Sequence, residues 1–96
     1  MTAQYLLNQL KNIENKDSII CIGLTNNGLG IATSLCVKGN NFIINSRDEN
    51  NRITVRKLAD YLLGVNINYV IKINFLGLHN IYSISMYKSK YLILGS

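Results

Sequence analysis

Few residues in this chain are of types that do chemistry. His79 is the only histidine, and Asp48-Glu49 is the only adjacent pair among five acids. Two acids ahead of an apolar periodic stretch suit a helix start, where negative charge opposes the macrodipole, better than a general acid/base couple. Gly28-Leu29-Gly30 contains a G-x-G, but the third glycine and the following helix of a phosphate loop are missing. Cys21 and Cys36 form no C-x-x-C, and one histidine does not complete a structural zinc site. Both cysteines sit in apolar text and read as buried free thiols. These residues argue against an enzyme, and they call for no cofactor and no metal.

Charge is the second resource. Ten Lys and Arg face five Asp and Glu, for a net charge of +5. In linear order the cations are spread, and the nearest thing to a patch is Arg52, Arg56 and Lys57. On the helix expected there, Arg52 and Arg56 stand four residues apart and share a face. That face is either simply solvated or a contact for an acidic or phosphate-bearing partner.

The elements that would position these residues follow from hydrophobic periodicity. Residues 3–15 carry Tyr5, Leu6, Leu10 and Ile13 at helical spacing, with Thr2 as N-cap. Ser18–Leu24 is a continuous apolar run, expected as a central strand buried on both faces. Asn26-Asn27-Gly28 signals a hairpin, with positive φ expected at both central residues of a type I′ turn. Ile31–Val37 reads as the returning strand, and Gly30 as a bulge or close backbone approach. Within Lys38–Ser46, Phe42-Ile43-Ile44 reads either as a short strand or as apolar anchors in a loop.

Asp48 and Glu49 then open a helix whose stripe is Val55, Leu58, Ala59, Leu62 and Leu63, closed by Gly64. Three strands end the chain: Asn68–Leu76, Ile81–Met86 and Tyr91–Leu94. Gly77–Asn80, which includes His79, is expected as a turn. Tyr82, Ile84 and Met86 alternate with Ser83 and Ser85, so one face of that strand should be buried.

The chain resembles the Roadblock family of dynein light chains and the related Ragulator scaffold subunits. The likeness rests on the early helix running into IICIGLTNNGLGIATS and on the end, YVIKINFLGLHNIYSISMYKSKYLIL. Cys36–Arg47 is longer and more apolar than the family's link into its central helix. The resemblance implies an α+β fold, a five-stranded antiparallel sheet flanked by helices in the order α-β-β-α-β-β-β. It implies one domain over residues 1–96 and a homo- or heterodimer with a Roadblock-like subunit.

In such a dimer the helix around Arg52–Leu63 and the edge strand Asn68–Phe75 meet their counterparts. Val55, Leu58, Leu62, Ile71 and Ile73 would then form the interface, although each also reads as ordinary core. The function implied is a non-catalytic dimerisation or adaptor module. It would dock on a dynein intermediate chain or on a scaffold that regulates small GTPases.

A second reading makes Leu29–Lys38 a helix. The order from Ser18 then resembles the Alba family of chromatin and RNA-binding proteins, with Arg47, Arg52, Arg56 and Lys57 gripping phosphates. Thr33, Cys36 and Val37 disfavour that helix.

With 48% apolar and 16% charged residues, part of the apolar surface is expected to meet a partner. The apolar runs fall short of the roughly 18 residues that span a bilayer, and no secretory leader is evident, so the expected location is cytoplasmic.

Overall fold

In the computed structural model, which describes residues 1–46 and 50–95, the chain forms two helices and seven strands. They run α1 (Ala3–Lys11), β1 (Ile19–Leu24), β2 (Gly28–Ile31), β3 (Ser34–Lys38), β4 (Asn41–Asn45), α2 (Val55–Leu62), β5 (Val70–Asn74), β6 (Leu78–Tyr87) and β7 (Lys90–Gly95). The strands form one curled, mixed sheet in the order β2-β1-β7-β6-β5-β4-β3. Two pairs, β1 with β7 and β4 with β5, are parallel, and the rest are antiparallel.

This overturns the five-stranded antiparallel α-β-β-α-β-β-β sheet. The two further strands come from 34–45, where apolar residues alternate across the hairpin: Leu35 faces Ile44, and Val37 faces Phe42. Lys38-Gly39-Asn40-Asn41 is its turn, with Gly39 at φ +58. Positive φ at the first central residue alone is the type II′ pattern, which Gly-Asn signals in sequence.

The run read as one returning strand is extended but bent in the middle. Ala32 donates to Ile20 on β1, and the next residue, Thr33, donates to Asn45 on β4. One stretch of chain thus edges both ends of the sheet and brings those ends together. Because 29–38 is strand on either side of that corner, the Alba-like order with a helix there is also excluded.

At the first hairpin Asn27 donates to the Leu24 carbonyl, and only Gly28 has positive φ, at +84. The turn is therefore not type I′. Gly30, expected as a bulge or close backbone approach, is instead closely met by side chains: a Cβ there would meet Ser46 Oγ at 2.6 Å and the Phe75 ring at 3.0 Å.

The concave face and both helices share one core. Leu6, Leu10, Leu58 and Leu62 pack with Ile20, Ile22, Phe42, Ile44, Ile71, Ile73 and Ile93. Full burial of such a side chain is worth about 1.5–3 kcal/mol, so this cluster holds the helices on the sheet. Phe42 also meets Tyr61 of α2 edge-on at 5.7 Å between ring centres.

Thr2 caps α1, accepting from the Tyr5 amide, as expected. For α2 the cap is Thr54, which accepts from the Lys57 amide. The helix therefore begins at Val55, Arg52 lies before it, and the shared Arg52–Arg56 helix face does not form. The expected start at Asp48-Glu49 lies outside the described residues.

Leu63 is exposed rather than part of the buried stripe. In β6 a bulge between Ile81 and Ser83 turns Tyr82 out to solvent and breaks the expected alternation. The turn before β6 is Phe75–Gly77, so His79 lies in a strand opposite Ile73 rather than in a turn.

Candidate functional site

The site is built around the start of β1. Val55 donates its amide to the Ser18 carbonyl at 2.9 Å, and Arg56 donates to the Lys16 carbonyl at 2.8 Å. This seats the first turn of α2 against the segment entering β1. Lys16 reaches back with its Nζ to the Leu10 and Lys11 carbonyls at 2.8 and 3.1 Å, satisfying the orphan acceptors at the end of α1. On the other side of β1, Ile19 donates to the Ser89 carbonyl and stands in register with Lys90.

Three segments far apart in sequence thus flank Ser18–Ile19. The end of α1 with its following loop brings Lys11 and Lys16. The start of α2 brings Arg52, Arg56 and Lys57, and the β6–β7 turn brings Lys88 and Lys90. Of the nine described Lys and Arg, these are seven; Lys38 and Lys72 lie elsewhere on the sheet, and Arg47 is outside the described residues.

Three carboxylates share the region, Glu14, Asp17 and Asp60, and Asp17 stands 3.5 Å from the exposed Arg56 guanidinium. The backbone of Ile19 stands between Lys90 of β7 and Thr54, just before α2, so the segments that carry these cations are neighbours there.

Beside them is an exposed ring. Tyr87 pairs with Lys90 across the hairpin and is 60% exposed, and the Lys88 Nζ lies 5.5 Å from its centroid. Lys88 is held at φ +55 by the tight turn.

Arg52, Arg56 and Lys57 are all exposed, Arg52 before α2 and the other two in its first turn. The four lysines that join them were not legible as partners, because the β1–β7 pairing that brings Lys88 and Lys90, and the Arg56–Lys16 backbone bond that brings the loop after α1, leave no local spacing. Val55, Leu58, Leu62, Ile71 and Ile73 are all buried in this chain's own core. The strand Asn68–Phe75, expected at an edge, contributes β5, whose two sides are taken by β4 and β6.

The thiols are separate and free. Burial pushes the Cys21 thiol up, opposed in part by the Lys90 charge, so it is held as the unreactive thiol. Half-buried Cys36 accepts from Asn45 Nδ2 at 3.6 Å. Burial also pushes the Tyr91 phenol up to about 12, with the nearby Tyr5 adding to the shift. Among the described residues no three His, Cys, Asp or Glu side chains gather to hold a metal, and no helix is long and apolar enough to cross a membrane.

Comparison with protein-family models, curated proteins and solved structures gives no match in any of the three, so none of them identifies a Roadblock family.

Proposed function

We propose that this chain is a non-catalytic binding module whose basic end takes an acidic or phosphate-bearing partner. The carrying observation is the convergence of cations from three separate segments around Ser18–Ile19, held there by backbone hydrogen bonds. The adaptor role implied by the Roadblock resemblance is retained only in this general form. The motor and GTPase partners named through that resemblance rested on a fold this chain does not have.

The test uses heparin as a polyanion. A Lys57→Glu/Lys90→Glu variant should elute from a heparin column at much lower salt than wild type. A Lys38→Glu/Lys72→Glu variant, with the same change in net charge, should elute close to wild type. If both variants shift equally, net charge alone explains retention and the site assignment fails.

A further inference from the structure

We propose that the partner of the basic end is single-stranded nucleic acid, with Tyr87 as a stacking platform for a base; this rests on the binding role proposed above. Phosphates need cations spaced across a surface, and the turn carrying Lys88 and Lys90 stands beside the start of α2 through β1. Cations alone would suit any polyanion. The aromatic ring narrows the class.

Tyr87 is exposed amid these cations, paired with Lys90, and one of its faces has the Lys88 ammonium over it at 5.5 Å. An exposed aromatic beside cations is an arrangement that suits single strands: the backbone follows the charge and the bases stack on rings. A duplex keeps its bases stacked on one another and has no use for such a ring. An acidic peptide would engage the cations but gains nothing that depends on an aromatic ring. The β6–β7 hairpin fixes the platform, because Tyr87 and Lys90 are a register pair and Ser89 is tied to Ile19.

The experiment is fluorescence anisotropy with labelled ten-nucleotide oligouridylate and oligothymidylate, against a duplex of the same length and a poly-glutamate peptide. Both single strands should bind, since phosphate charge and a stacking base are common to them. With about four phosphates neutralised, the log–log salt slope should be near −3, or about 50-fold weaker binding at 200 than at 50 mM salt. Tyr87→Ala should weaken single-strand binding by about tenfold, while Tyr87→Phe keeps it, because stacking needs the ring and not the hydroxyl.

Lys57→Glu/Lys90→Glu should abolish binding. Equal affinity for poly-glutamate or duplex, or indifference to Tyr87→Ala, overturns the nucleic-acid assignment. Retained heparin binding in that case leaves the basic-end role standing, whereas loss of the heparin contrast between variants removes both.

Discussion

Ile53 donates its amide hydrogen to the Ala32 carbonyl at 2.9 Å, and its own carbonyl accepts from Ile20 at 2.8 Å. It thereby clamps the corner where the edge chain changes neighbours to the start of β1, and its side chain is fully buried. Ile53→Val removes one methylene from this junction and should cost about 1 kcal/mol. Urea denaturation measures it. No change in midpoint would mean the junction is looser than its hydrogen bonds imply.

Tyr91 gives the fold an alkaline limit. Its ordinary value is about 10, and burial raises it to about 12 in the folded chain. Above pH 10 the unfolded chain releases this proton while the folded chain keeps it. The contribution is fully present below that pH and is lost as pH rises through the folded value. Tyr91→Phe has no such proton. Its stability should fall less than that of wild type between about pH 9 and 12, and equal slopes would rule the phenol out as the cause.

Leu76 sits at φ +54 and is 76% exposed. A leucine in the left-handed region costs about 1 kcal/mol and here gains no burial. Leu76→Asn should raise thermal stability, by up to about 1 kcal/mol, since asparagine tolerates that conformation. A lower melting temperature would show that the leucine makes a contact that matters in solution.

On the convex face, Asn74 Nδ2 donates to Asn45 Oδ1 at 3.0 Å, linking β5 to β4. Asn45 is buried, so Asn74→Ala leaves an acceptor short of its donor, at a cost of about 1–3 kcal/mol. Asn74→Asp replaces the donor with an acceptor and should cost more. A denaturation midpoint for the aspartate variant above that of the alanine variant would reverse this assignment.

Several elements are legible in short stretches of sequence. Thr2 as a cap, the apolar β1 run and the Val55–Leu58–Leu62 stripe each carry their signal within a few residues. The bend at Ala32–Thr33 does not, because it is set by hydrogen bonds to Ile20 and Asn45, one on each end of the sheet. Gly39-Asn40 carried a hairpin signal that would have revealed β3 and β4. For the basic end, Arg52, Arg56 and Lys57 form one sequence cluster, Lys88 and Lys90 another, and Lys11 and Lys16 a third. Tertiary pairing alone brings these clusters to one another, and no periodicity records it.

The parallel pairing of β1 with β7 sets the order in which this protein can be made. Ile19–Leu24 pairs with Gly28–Ile31 on one side, but its other edge is filled only by Lys90–Gly95, so that ladder closes about seventy residues after β1 begins. Contacts this distant along the chain are closed late and slow folding. During synthesis β1 must wait, its apolar edge open, until residues 90–95 have left the ribosome, and that interval is when a chaperone has the most to shield.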